Sequence, residues 1–457
     1  MPNLRNINPL SSETRLPTAY TIKEIVMTNH KGTEYDIQAL VTDFTITESI
    51  YRPALMLSMN IKDPVNLLEE GQFIGQEKIT VKLAARDFTD DGTIDSDPEA
   101  NIVHTFYVTE YPVYGKYNNL MQVYSIRGIS EFAYLSKLKR ISRAFSGNMK
   151  KFVESVLMRD LRLPSNKLYV ADSAGVNSSF IVPNMNPVDA IVWALRRCYD
   201  ERHSSPFYCY QILNGQVRLE SQADIASKES YEEYIDAKFF QFNPMTDTEQ
   251  DYNELSRRIL SITSDLKMSK LMAGMNGAYA SRTDYLDLST KTVSRSVFDL
   301  TKELPDMVTI ENESPVSTQF TPEENLPLTK YDLAKINYIP MNSMAFGSGV
   351  AGNYHASTIN GRINRAQAYS ENLETISHDI VLAGDFNLNA GMVISLRLPP
   401  SFDPNTRKLN IDQEPNTSED RFFSGDYQVV SVSHNFAEDY TMEVKVKRDS
   451  FTRNYSQ

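Results

Sequence analysis

The chain has 457 residues, a formal net charge of −13 and 41% hydrophobic residues, among them 25 Tyr and 21 Phe. That length allows two or more domains, and the acidic excess argues against binding nucleic acid by phosphate neutralisation. No apolar run is long enough to cross a bilayer, and two cysteines, Cys198 and Cys209, give no disulfide framework, so a cytosolic origin is expected.

The opening residues, MPNLRNINPLSSETRLP, lack a signal-peptide core and read as a polar arm. Strand signals follow. In DIQALVTDFTITESI and ALMLSMNIKD apolar and polar residues alternate, with Leu55, Leu57, Met59 and Ile61 on one face. Ile79, Val81 and Leu83 repeat the pattern, as do VHTFYVTEYPVYG and NNLMQVYSIRGIS. Period two over several segments predicts a half-buried antiparallel sheet closing as a small sandwich or barrel. Between two of these strands, RDFTDDGTIDSDPEAN carries Asp90, Asp91, Asp95, Asp97 and Glu99. The ligand spacing of a helix-loop-helix calcium site is missing, so the stretch reads as a solvated loop.

After Ser146 the period lengthens. Met149, Phe152, Val153, Val156, Leu157 and Leu161 form a helical stripe, with a serine cap expected nearby. NPVDAIVWALRRC predicts a second helix, capped by Asn186, opened by Pro187 and apolar along Val188, Ile191, Val192 and Leu195. In PFYCYQILNGQVRLES, Asn214-Gly215 separates two strand runs and predicts a tight hairpin with positive φ at both positions. The basic cluster KLKRISR, Lys137 to Arg143, reads as the exposed face of a helix whose other side packs through Leu135, Leu138 and Ile141. Strands return in RRILSITSDLKMSKLMAG and GAYASRTDYLDLS, and residues 293–367 are less regular and rich in Ser, Asn, Pro and Gly. The end is strand-rich again.

Candidate chemistry is sparse. GSGVAG, Gly347 to Gly352, has dinucleotide-like glycines without the preceding buried strand, and Gly361 follows soon after, so it reads as a loop. Cys198, His203 and Cys209 offer no fourth zinc ligand and read as buried thiols beside a histidine. Ser377, His378 and Asp379 are adjacent on a strand, so their side chains alternate in direction and cannot form a relay. In SGDYQVVSVSHNFAEDYTMEVKVKRDSF, Tyr427 and Val429 share one strand face and Val430 and Val432 the other; Ala437 to Asp439 make the turn. Apolar residues on both faces predict a strand sandwiched between a core and a partner chain. His434 lies near the turn, within reach of water, and reads as structural. No catalytic, cofactor-binding or metal-binding residue is nominated.

That last segment resembles the C-terminal hairpin of phage baseplate central hub proteins of contractile tails. LAGDFNLNAGMVISLRLP resembles the preceding strand pair through Gly384, Leu388, Gly391 and Pro399, IVPNMNPVDAIVWALRRC with FYCYQILNGQVRLES the family's helix and hairpin, and GMNGAYASRTDYLDLS a strand pair opening its second β domain. The resemblance implies a mostly β, α+β chain: two tail-tube-like antiparallel β-barrel domains plus a mixed α+β domain. The expected division is an arm at 1–18, a first barrel at 19–135, a mixed domain at 136–249 and 293–373, and a second barrel at 250–292 and 374–457. It implies a homotrimer whose six barrels adapt a hexameric tail tube to a trimeric spike. Expected partners are further copies of this chain, the spike, the tube, other baseplate proteins and a tape-measure protein. DNA is expected to pass through an acidic lumen without specific binding, with no membrane insertion, no cofactor and no enzymatic activity, in a protein made in the host cytoplasm and placed in the virion tail. The alternatives are a hub of a related contractile injection device and a tail-associated cell-wall hydrolase module.

Overall fold

The first third of the chain forms a continuous antiparallel ladder. The computed structural model describes residues 20–85, 102–118, 121–172, 177–196, 199–236, 256–265, 270–288, 290–310, 316, 328–341, 362–399, 420 and 422–450. The first unit holds β1 (Tyr20–Thr28), β2 (Glu34–Asp36), β3 (Val41–Ser49), β4 (Arg52–Asp63), β5 (Lys78–Ala85), β6 (Ile102–Asn118) and β7 (Met121–Ser130), in the order β3-β4-β7-β6-β5-β1-β2. Leu55, Leu57, Met59 and Ile61 all face its core, as do Ile79, Val81 and Leu83.

The middle unit contains β8 (Ala144–Asn148), β9 (Leu168–Val170), β10 (Asn177–Ile181), β11 (Phe207–Gln211) and β12 (Val217–Ser221), packed with two helices. The helix Met149–Ser155 is capped by Asn148, not by a serine: the Lys150 N–H donates to its side chain at 2.9 Å. The stripe from Met149 to Leu161 is buried as expected. The helix Pro187–Leu195 buries Ala190, Ile191, Ala194 and Leu195, while Val188 and Val192 are half-buried. The buried face is thus turned from the one expected, onto Ala190 and Ala194. Asn186 makes no side-chain cap; the Val188 N–H donates instead to Ser136 Oγ at 2.9 Å.

A second set of strands closes on itself. β13 (Ser230–Asp236), β14 (Arg258–Asp265), β18 (Ile376–Ala383), β19 (Val393–Arg397), β20 (Gly425–Phe436) and β21 (Tyr440–Arg448) run in the ring order β19-β13-β14-β18-β21-β20, and β20 pairs back onto β19. β13 lies parallel to both of its neighbours, so this barrel is mixed rather than wholly antiparallel. Between β14 and β18 the chain forms a separate sheet, β15 (Ala280–Asp287), β16 (Thr292–Asp299) and β17 (Ile336–Met341), with β15 central. Tyr279 to Asp287, expected to open the second β domain, therefore stands outside the closed barrel. Phe298 and Tyr279 pack into a satellite core with the helix Arg362–Asn372 through Ala368 and Tyr369.

β20 joins the two β units. Its first half pairs with β19, from Gly425↔Leu396 to Gln428↔Val393, and its second half with β3, from Ser431↔Ser49 to Phe436↔Phe44. The switch occurs at a bulge between Val429 and Ser431. One extra residue there shifts the alternation by one position. Tyr427 and Val429 face the main core, and so do Val432 and Phe436; Val430 is the displaced residue. The expectation that Val430 and Val432 share a face is thus corrected. No partner chain is needed to cover Val430, because Ile50, Tyr210, Ile212, Ile225 and Ala390 of this chain bury it.

Candidate functional site

The place where the two β units and the middle unit meet is built from side chains that fall in phase with core residues. Glu48 follows Phe44 and Ile46 on the inward face of β3; His104 stands between Ile102 and Phe106 on β6; His434 stands between Val432 and Phe436 on β20. Each would be apolar if burial alone decided. Glu48 and His434 are 0% exposed and His104 is 6% exposed.

Glu48 connects three segments. Its Oε2 accepts from the Leu213 N–H at 2.7 Å, and its Oε1 accepts from the Ala390 N–H at 2.7 Å. A buried carboxylate needs such charge-assisted donors. Leu213 is itself fully buried in the main core, and its carbonyl accepts from His104 Nε2. Both backbone groups of one residue at the hairpin tip are thus held by ionisable side chains of the first unit.

The Asn214-Gly215 turn presents Leu213 in this position. Gly215 has φ +86°, but Asn214 does not have positive φ. The Gly215 N–H bonds to Ile212 O at 2.8 Å and the Ile212 N–H to Gln216 O at 3.0 Å. This is the three-residue loop with a left-handed glycine after the turn, not the two-residue hairpin expected. A Cβ on Gly215 would meet His104 Cε1 at 3.2 Å, so the turn and the imidazole share one space.

His434 does not reach water. Its Nδ1 shares a hydrogen bond with Tyr440 OH at 2.9 Å, and its Nε2 lies 3.8 Å from Glu48 Oε1 without a hydrogen bond of its own among the described residues. The turn at Ala437 to Asp439 is as expected, but the bulge turns the ring inward. His434→Ala is therefore expected to lower stability by about 3 kcal/mol, from the cavity and the stranded Tyr440 hydroxyl. Chemical denaturation of the variant checks this.

Further polar contacts fasten the same junction. The Leu55 N–H and Ser130 Oγ donate to Gln211 Oε1 at 3.2 and 2.5 Å. Lys228 Nζ donates to Glu220 Oε2 and to Gly391 O, both at 2.8 Å, and Tyr210 OH donates to the same Glu220 oxygen. Gly391 has φ +77°, and a Cβ there would fall 1.9 Å from Tyr210 OH. Gly384 has the same constraint from Tyr440, whose Cδ1 would lie 2.0 Å from an added Cβ. Arg448, fully buried, donates to the carbonyls of Ser450, Ser424 and Phe422 at 2.8, 2.9 and 2.7 Å.

Two histidines are kept neutral. Burial pushes His104 down to about 4, and burial with the nearby Arg448 guanidinium pushes His378 down to about 4. His378 shares hydrogen bonds with Ser264 Oγ at 2.8 Å and Tyr427 OH at 3.1 Å. Ser377 is buried and Asp379 is exposed beside Lys445, so the three adjacent residues form no relay. Both imidazoles bind protons more weakly folded than unfolded. Stability is therefore complete above the ordinary histidine value and is lost as pH falls from about 6.5 toward about 4. Urea unfolding at pH 5 is expected to give a stability roughly 4 kcal/mol below that at pH 7.

The remaining sequence candidates are dispersed. Asp90, Asp91, Asp95, Asp97, Glu99, Cys198, Gly361 and the stretch from Gly347 to Gly352 lie outside the described residues. Cys209 is buried on β11, its thiol pushed up to about 12 by burial, and His203 Nδ1 pairs with Asp200 at 2.8 Å. Among the described residues no group of His, Cys, Asp and Glu could hold a metal ion. The basic cluster is not one helix face: the helix ends at Lys137, and Leu138 is 69% exposed. Lys139 Nζ donates to Asp160 O at 2.7 Å, Arg140 to Asn184 O at 2.9 Å, and Arg143 pairs with Asp160 at 2.9 Å. These cations are engaged within the chain.

The residues sequence reasoning passed over, Glu48 and His104, carried one signal: an ionisable side chain in register with a core stripe. No protein-family model matches the sequence, and no curated protein matches it. Among solved structures, the 43 kDa tail protein of prophage MuSo2 from Shewanella oneidensis superposes with a TM-score of 0.51 at 11% identity, over 94% of this chain and 99% of that one. The fold is that of a phage tail protein. A tail protein from Neisseria meningitidis MC58 aligns over 94% of this chain and 97% of its own at 10% identity, with a TM-score of 0.49. An Escherichia coli component of the type VI secretion system, itself similar to tail proteins of bacteriophage T4, covers 95% of this chain and 79% of its own at 7% identity and a TM-score of 0.42. The tail-protein fold agrees with the mostly β architecture that the sequence resemblance implied. Glu48 and His434 are closed to solvent, and His104 nearly so.

Proposed function

We propose that the chain is a structural protein of a contractile-tail virion, the central hub of the baseplate, without enzymatic activity. In this reading three copies form a ring that joins a hexameric tail tube to a trimeric spike and lines part of the DNA channel. The observation that carries it is the β20 junction. One strand fuses a closed barrel and a second β ladder into a single thirteen-stranded sheet, which gives each chain two β units in a fixed relation. Two such units per chain let a three-fold ring offer six positions to a six-fold neighbour. The division into arm, first barrel, mixed domain and second barrel belongs to this proposal, with β13 taken into the second barrel and β15–β17 left out. The formal charge of −13 and the internal engagement of Lys139, Arg140 and Arg143 favour a lumen along which DNA slides without being held. Native mass measurement tests the assembly. A trimer, alone or with its spike, is expected; a chain that stays monomeric with the spike and tube proteins present would overturn the reading.

A further inference from the structure

We infer that the hairpin tip carrying Leu213 is an acid-released latch, in which a proton on the buried His104 frees the middle unit from the first β unit while both β units stay folded. The reasoning starts from geometry. Leu213 is the residue of the β11–β12 hairpin that enters the main core, and its two backbone groups are held by Glu48 on β3 and His104 on β6. His104 packs beside Phe106 at a ring distance of 5.7 Å, and its Cε1 edge borders the space that a side chain on Gly215 would fill. The groups facing it are poorly suited to a second positive charge. Lys167, on the short turn Ser165–Lys167, approaches the same glycine, and His434 faces it from β20. Its ladder partner on β5 is Val81, which offers no acceptor side chain. Glu48 is the one nearby anion among the described residues that bond to Leu213, and both of its oxygens are already committed to backbone N–H groups.

A proton arriving at His104 Nδ1 therefore has two outcomes. The ring stays and carries an unpaired buried charge, or it swings toward solvent past Gly215. The second removes the donor to Leu213 O and opens the space that Leu213 fills. Within β4, Leu57 to Ile61 pair with β3 and β7 through backbone bonds and have no part in this step, whereas Leu55, whose N–H donates to Gln211 Oε1, is released with the hairpin. Linkage sets the size of the effect. With the ring released to its ordinary value of 6.5 and held at about 4 when latched, the open population rises about 20-fold between pH 7 and pH 5.

Hydrogen–deuterium exchange of the full chain at pH 7 and pH 5, corrected for intrinsic rates, tests the latch. Exchange at Leu213 and Gly215 is expected to accelerate about 20-fold, with their protection staying well below that of the β4 amides from Leu57 to Ile61, which open only with the whole chain. No acceleration at the hairpin, or hairpin protection equal to that of β4 at pH 5, overturns the inference, and the wild-type protein alone decides this. His104→Gln keeps an N–H donor for Leu213 O but does not titrate in this range. It is expected to abolish the local pH response; the same acceleration in this variant would assign the effect to another group and overturn the role of His104.

Discussion

Replacing Glu48 by alanine is expected to cost about 5 kcal/mol, enough to leave the chain unfolded or nearly so at 37 °C. Glu48 is fully buried, and its two oxygens are the acceptors of the Leu213 and Ala390 N–H groups. Alanine strands both donors away from water, at roughly 1–3 kcal/mol each, and adds a cavity in the main core. Glu48→Gln is the informative companion. Its amide keeps one oxygen, so one donor is retained, while its NH2 group confronts the other N–H. A loss of roughly half that of alanine is expected. Urea denaturation with an unchanged m-value reads both. Loss below 1 kcal/mol for alanine would mean that the two N–H groups find other acceptors and that Glu48 is no keystone.

Gly391→Ala is expected to be as damaging, at about 5 kcal/mol, through a different mechanism. The backbone at Gly391 has φ +77°, and the new Cβ would sit 1.9 Å from Tyr210 OH and 2.6 Å from its Cζ. Tyr210 is fully buried and donates to Glu220, which also holds Lys228; Lys228 returns to Gly391 O. The ring has no free direction, so the methyl group must push β11 away from the loop that carries Ala390, and Ala390 is one of the residues Glu48 holds. The two sites are neighbours in one network. The double variant should therefore fall short of the sum of the singles, because each already disrupts the same loop. A thermal melt of Gly391→Ala within a few degrees of wild type would show that the loop relaxes freely.

Along the regular strands and one helix, the sequence determined which residues are inside. The alternation from Leu55 to Ile61 and from Ile79 to Leu83, the helical stripe from Met149 to Leu161 and the turn at Ala437 to Asp439 all stand in the structure as read. A single strand or helix carries its own period, and local sterics with burial fix it without reference to distant residues. What covers each buried face was decided by tertiary structure. Val430 is apolar in the sequence for a reason found about 220 residues away, in Tyr210 and Ile212. The bulge beside it changes which side chains point inward, and that shift depends on β20 leaving β19 for β3. β15 holds a sound strand pattern, yet its partners are β16 and β17 rather than the closed barrel, because period two says nothing about which edge a strand joins. Glu48 shows the division most clearly. Its position in phase with Phe44 and Ile46 was legible, and marks a carboxylate on a core face. The two backbone donors that make such a carboxylate stable come from residues 213 and 390, brought together only by the fold.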